Sequence, residues 1–307
     1  MKVKYSYILL ALVAIFTGCE RECIEPQLHK VSIIASAEEG VVTKTIVDED
    51  PTHVYEGGRI GIYWNSQDKI GVYGSSNVNI AFASNLISGE TKGTALFTGS
   101  MSANDTPLYA YYPHSQDNNN VSYKSVTGTV PAIQSFNVTS RVIPADYKIG
   151  YPKADRDGEF TFVNVLSLLR FKVDATNTEL ANDILQSITL KFPAGSIVCG
   201  RLTMNLESRT CNITSSTEAN TLTLNIAGAT STLSNELTAY MSCAPIQISG
   251  QPIEITITTS KHIASFKTNL NTDFQHNTLY NFPLKLSEWA KLGDKVSWSL
   301  SDNEALN

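Results

Sequence analysis

Short alternating runs punctuated by polar turns constrain this chain more than any other feature. Leu169-Arg170-Phe171-Lys172-Val173 alternates apolar and charged residues, as a strand does with one face in a core and one in water. Short apolar runs recur at Val31–Ala35, Ile60–Trp64, Lys69–Tyr73, Ala95–Gly99, Leu108–Tyr112 and Phe160–Asn164. They continue at Ser187–Phe192, Leu202–Leu206, Thr221–Ile226, Leu237–Met241, Ile253–Thr258, Ala264–Thr268 and Tyr280–Leu286. Turn signals such as Asn65-Ser66-Gln67-Asp68 separate them, and Pro113 ends the run before it because it donates no N–H. The best helix candidate, Thr178 to Leu185, is short. Many short strands with few helices predict an all-β chain built from β-sandwiches. Residues 141–160 are rich in Pro, Asp and Gly and hold no long apolar run. They mark the expected boundary between an N-terminal β-sandwich domain over 29–157 and a C-terminal one over 158–307.

The chain begins with a different signal. Lys2 and Lys4 precede the apolar run Ile8–Phe16, which ends in Thr17-Gly18-Cys19. A basic start, a short apolar core and a small residue before the cleavage point make a secretory signal peptide over 1–18. The run falls short of the about 20 apolar residues a membrane span needs. The small residues before Cys19 resemble the lipobox of bacterial lipoproteins, which makes Cys19 a lipid anchor. The alternative is an ordinary signal peptide whose cysteine pairs elsewhere. Residues 19–28, polar and Pro-containing, read as a tether.

The formal net charge is −6. An acidic chain without a Lys/Arg cluster argues against nucleic-acid binding. It also argues against a polybasic membrane patch, so attachment to a membrane would fall to the lipid. Cys199, Cys211 and Cys243 lie in strand-like sequence. A Cys199–Cys211 bond is one reading, and buried free thiols are the other. None has metal-site spacing.

The search for chemistry is otherwise negative, and no catalytic residue, metal site or cofactor is assigned. The five histidines are dispersed, and none flanks an acidic or cysteine cluster. No Gly-x-Ser-x-Gly elbow is present. Gly57-Gly58-Arg59-Ile60-Gly61 lacks the P-loop Lys-Ser/Thr and precedes a strand, so it reads as a turn. Asp48-Glu49-Asp50 reads as a solvated run, and Asp155, Asp157 and Glu159 as a plain loop without a complete ligand set. Trp64 ends a strand and reads as core. Trp289 and Trp298 are the better candidates for exposure.

Four segments carry a resemblance. Trp64-Asn-Ser-Gln-Asp-Lys-Ile-Gly-Val-Tyr73 resembles the Trp-x-x-x-Asp-x-Ile-Gly-Val-Tyr segment of fimbrillin-like proteins from Bacteroides-type bacteria, the type V pilus subunits. Leu108-Tyr-Ala-Tyr-Tyr-Pro113 is similar to their Tyr-Ala-Tyr-Tyr-Pro strand. Phe162–Val173 resembles the strand opening their second domain, and Leu279–Leu286 their late Tyr-x-Phe-x-Leu strand. The resemblance implies two tandem transthyretin-like Greek-key β-sandwich domains. It implies a structural subunit of a cell-surface pilus, or fimbria, exported as a lipoprotein to the outer membrane, supporting adhesion and lacking enzyme activity. Its partners would be other pilus subunits, in a homo- or hetero-polymer, and a processing protease.

In that family a trypsin-like protease cuts past the first strand, the strand leaves, and a segment of another subunit fills the groove. Here the removable strand would be Val31–Ala35, with Val31, Ile33 and Ala35 on its inner face. The cut would fall between Lys44 and Thr45, where the family usually presents Arg. Arg59 is a second basic choice, and a plain loop over 36–59 with the strand staying put is the alternative. Val296, Trp298 and Leu300 share one face of an extended segment, which suits either a donor strand or a last strand of the chain's own domain. A rival from the binding-module class is a lipid-anchored glycan-binding β-sandwich lipoprotein of a polysaccharide-uptake system. That reading requires several aromatic side chains on one exposed face.

Overall fold

The computed structural model describes residues 27–37, 46–48, 61–286 apart from 216, 218, 230 and 231, and 303–305. The first eleven strands are β1 Leu28–Ala37, β2 Ile46–Asp48, β3 Gly61–Asn65, β4 Lys69–Tyr73, β5 Ile80–Ser84, β6 Thr91–Lys92, β7 Ala95–Ser102, β8 Tyr109–Tyr112, β9 Val126–Val130, β10 Ile133–Asn137 and β11 Lys148–Pro152. The rest are β12 Glu159–Asn164, β13 Ser167–Asp174, β14 Leu185–Lys191, β15 Gly200–Asn205, β16 Thr210–Thr214, β17 Thr221–Ala227, β18 Leu237–Cys243, β19 Pro252–Thr259, β20 Ile263–Asn269, β21 Thr278–Lys285 and β22 Asn303–Ala305. The fold is all-β, as the alternation predicts.

Two bodies hold most of the strands, and two three-stranded sheets, β16-β15-β9 and β2-β3-β6, complete the pairing among the described residues. In the first body, β1-β12-β11-β8-β4-β5-β7 pair all the way round into a closed barrel. Its core holds Ile33, Trp64, Phe82, Phe97, Phe160 and Phe162. In the second, a five-stranded sheet in the order β10-β17-β14-β19-β20 faces a four-stranded sheet in the order β18-β13-β21-β22. Inner residues of both sheets, among them Ile188, Leu224 and Ile257 from one and Leu169, Phe171 and Phe282 from the other, meet in one cluster. Strand β13 shows why the alternation was readable. Leu169, Phe171 and Val173 are buried while Arg170 and Lys172 reach outward.

Strand pairing does not follow the 157/158 boundary. Residues 159–164 form β12, which pairs with β11 and β1 in the barrel. The Pro/Asp/Gly stretch 141–160 taken for the boundary contains β11 and the β11–β12 hairpin turn, closed by Lys153 N–H to Glu159 C=O at 2.9 Å, with Gly158 at φ +76°. Hairpin turns and linkers use the same residue types, so composition alone does not separate them. Conversely, β9 pairs with β15 and β10 with β17, tying a segment of the first half to the second.

The expected helix is a single 3-10 turn, Glu179–Asn182, capped by the Thr178 hydroxyl. It is too short to sustain an α-helix, and β14 begins at Leu185. Cys199 and Cys211 are not opposed, because Cys211 faces Met204 across the β15–β16 ladder, five residues beyond Cys199. The Cys211 thiol instead points at the Val165 carbonyl at 3.4 Å, and Cys199, Cys211 and Cys243 are free thiols.

Candidate functional site

The strand that closes the barrel, β1, contains Val31–Ala35, the segment that the family resemblance offers as a candidate for removal. Val31, Ile33 and Ala35 alternate with Ser32, Ile34 and Ser36, so period-2 geometry aims the first set inward. Ile33 and Ala35 are fully buried and Val31 partly so, whereas Ser32 and Ile34 are exposed. Against β7 the strand is antiparallel, from Leu28 opposite Ser102 to Ala35 opposite Ala95. Against β12 it is parallel, and only over Ile34–Ala37. Leu28–Ile33 is therefore hydrogen bonded to a strand on one side only among the described residues, while the C-terminal half is clasped on both. The Ile34 N–H also reaches the Gly158 carbonyl at 2.7 Å.

Each inward residue sits over a distinct socket. Val31 lies opposite Gly99, where a Cβ would meet the Phe82 ring at 2.4 Å. Ile33 lies opposite Phe97. Ala35 lies between Ala95 on β7 and Phe160 on β12, both buried. Burying a Val or Ile side chain contributes about 1.5–3 kcal/mol. Taking β1 away would uncover that apolar floor and leave the edges of β7 and β12 unpaired, which is costly until another strand pairs there.

The floor itself is held from below. Trp64, fully buried, meets Phe97, Tyr112 and Phe162 edge-on with ring centroids 5.0, 5.4 and 5.4 Å away. Lys148 is fully buried beneath them and pairs with the Asp146 carboxylate. Its ammonium lies 4.8 Å from the Tyr112 ring centroid and 5.7 Å from that of Trp64, a cation–π arrangement. Burial pushes the Lys148 amine down and the Asp146 carboxyl up. Tyr112 donates its hydroxyl proton to Asp68 Oδ1 at 3.0 Å, and Asp68 also accepts from the Asn65 N–H at 2.8 Å. The Trp64 and Asp68 of the first family-like segment and the Tyr112 of the second thus converge on one buried knot. Lys148 was invisible as its partner, because no pattern flags a lysine that folding will bury.

The remaining assigned residues lie elsewhere. Cys19, Lys44, Thr45, Val296, Trp298 and Leu300 fall outside the described residues, as do Trp289 and Arg59. Trp64 is core, so it supplies no exposed aromatic to a glycan surface. His262, one of the dispersed histidines, bonds through Nδ1 to Asp183 Oδ2 at 2.6 Å across 79 residues of chain. No group of three or more His, Cys, Asp or Glu side chains is placed to hold a metal among the described residues.

Comparison with known proteins follows the same lines. The model of the fimbrillin-like family matches residues 52–302. Comparison with curated proteins gave no match. Among solved structures, a candidate cell adhesion protein from Bacteroides ovatus is similar at 14% identity and TM-score 0.53, covering 85% of this chain and 93% of that one. A candidate cell adhesion protein from Bacteroides uniformis matches at 16% identity and TM-score 0.49, covering 84% and 95%. The tip fimbrial protein Mfa3 from Porphyromonas gingivalis, with C-terminal truncation, matches at 12% identity and TM-score 0.42, covering 84% and 95%.

Proposed function

This chain belongs to the fimbrillin-like family, and from that premise we propose that it is a structural subunit of a cell-surface pilus assembled by protease-triggered donor-strand exchange. The observation that carries the reading is the position of β1. It is the first described strand in the chain, it closes the barrel, and half of it is laddered on one side only. Cleavage between Lys44 and Thr45 would sever β1 from the rest of the chain without touching the strands that form the floor. The groove left behind would offer two unpaired strand edges and a row of apolar sockets, the features β-strand addition requires. Lipidation of Cys19 would hold the precursor at the outer membrane, and adhesion would be a property of the assembled pilus.

The test uses the chain from Cys19 onward without lipid and limiting trypsin. The new N-terminus is identified by mass, and unboiled samples are run on a denaturing gel. The reading expects one early cut after Lys44, and an SDS-resistant ladder once a fitting donor strand is present, whether from this chain's tail or from another subunit. A cut without a ladder would assign the chain to the tip or the base of a pilus, or place its donor strand in another protein. Resistance at Lys44 with a chain that stays monomeric would overturn strand exchange.

A further inference from the structure

The three side chains that β1 turns inward, Val31, Ile33 and Ala35, differ in size and in their neighbours, and the difference restricts what can replace the strand. The Val31 socket is floored by Phe82, because Gly99 opposite it has no side chain. The Ile33 socket is floored by Phe97, which is fixed in turn by Trp64 at 5.0 Å. The Ala35 socket has Ala95 on one side and Phe160 on the other, and Ala35 within it is 0% exposed. A methyl group therefore fills a fully enclosed site there. Larger side chains at such a site force neighbours off their rotamers.

We propose, resting on the strand-exchange reading above, that the groove takes a strand with a branched aliphatic residue followed two positions later by Ala, Gly or Ser, and that this strand comes from another subunit and not from the Lys295–Leu300 tail of a second copy of this chain. The chain's own candidate donor fails the size rule in either direction. With Trp298 over the Ile33 socket, the Ala35 socket receives Leu300 or Val296. With Leu300 there, it receives Asp302 or Trp298, and with Val296 there, Trp298 or Asp294. Each of these even-face registers places a bulky or charged residue where only a methyl is enclosed. The odd-numbered face, Ser297, Ser299 and Ser301, offers no apolar side chain to the other sockets. The partner is thus an extended segment of another subunit carrying an aliphatic-x-small pattern.

The experiment uses trypsin-cleaved protein and two fluorescent peptides, one with the Leu28–Ala37 sequence and one with the Lys295–Leu300 sequence. A third carries the substitution L300A. The β1 peptide is expected to enter the groove, the tail peptide to enter about tenfold more weakly or not at all, and L300A to recover part of the difference. Equal entry by the tail peptide, or no gain from L300A, overturns the size rule. Independently, A35L in the intact chain is expected to lower the melting temperature by several degrees, while A35S changes it little. An unchanged melting temperature for A35L overturns the enclosed socket whether or not strands exchange. If A35L destabilises but no peptide enters, the strand-exchange reading falls and the partner assignment with it.

Discussion

The barrel and the sandwich solve the same problem by different means. Each must join two sheet edges that twist would otherwise leave apart. In the barrel the joint is a whole strand, β1, laddered to β7 on one side and to β12 on the other. In the sandwich, β10 and β18 belong to different sheets and are bridged by side chains, the Phe136–Tyr240 ring contact at 5.6 Å and the amide of Gln134. Gln134, 2% exposed, accepts from the Ser242 N–H at 2.9 Å and donates to the Ser242 carbonyl at 2.6 Å. Its amide imitates a strand's hydrogen bonding at a single point. A strand can be cut free and replaced as a unit, while a buried amide stays with the backbone that carries it. On the proposed strand-exchange reading, exchange would therefore fall on the barrel.

Four substitutions would break or sharpen that contrast. The largest effect is expected from Trp64→Ala, which empties the knot beneath the β1 sockets and should cost about 3–5 kcal/mol in urea unfolding. The contrast predicts that hydrogen exchange in β1, β7 and β8 accelerates before that in β13 and β18. Uniform acceleration would show that β9 and β10, which cross between the bodies, weld them into one cooperative unit. Next, Ile33→Ala should cost about 2–4 kcal/mol and speed release of the cleaved strand, read by loss of the Leu28–Ala37 fragment on gel filtration. Stability loss without faster release would break the idea of β1 as a detachable clasp.

Gln134→Ala should cost about 1–3 kcal/mol, because it leaves the buried Ser242 N–H and carbonyl unpaired, and should leave fragment release unchanged. The smallest effect is at Asp183. Its burial alone would raise the carboxyl, but the Thr259 hydroxyl, His262 and Lys261 together hold it below the ordinary carboxylate range. A depressed carboxylate stabilises the fold above its unfolded-state value, near pH 4, and that stability is lost as pH falls through the lower folded-state value. Asp183→Asn should flatten this acid limb of a melting-temperature profile, with about 1 kcal/mol lost at neutral pH. An unchanged limb would mean that other carboxylates govern it.

Strands with one dry face were legible because alternation is local, as in β13 and β1. The buried place of Trp64 was legible from its position at a strand end. Strands β9 and β10 were not read at all. Thr127, Gly128 and Thr129 are polar or small, Pro131 interrupts the run, and their pairing partners lie far along the chain. The buried Lys148–Asp146 pair and the Asp183–His262 contact escaped for the same reason. A charged residue announces solvent until its partners are known.

The sequence by itself determined that the chain is all-β, which residues of β1 face inward, and where its family likeness lies. Those properties depend on period-2 patterning and on motifs of a dozen residues or fewer. Tertiary structure alone decided that β1 closes a barrel between β7 and β12, that residues 159–164 belong with the first body, and that Cys211 lies away from Cys199. It also decided that Ala35 occupies a socket fit for a methyl group. Each of these depends on which edges meet across long loops, and pairing between distant segments is set by the packing of the whole core.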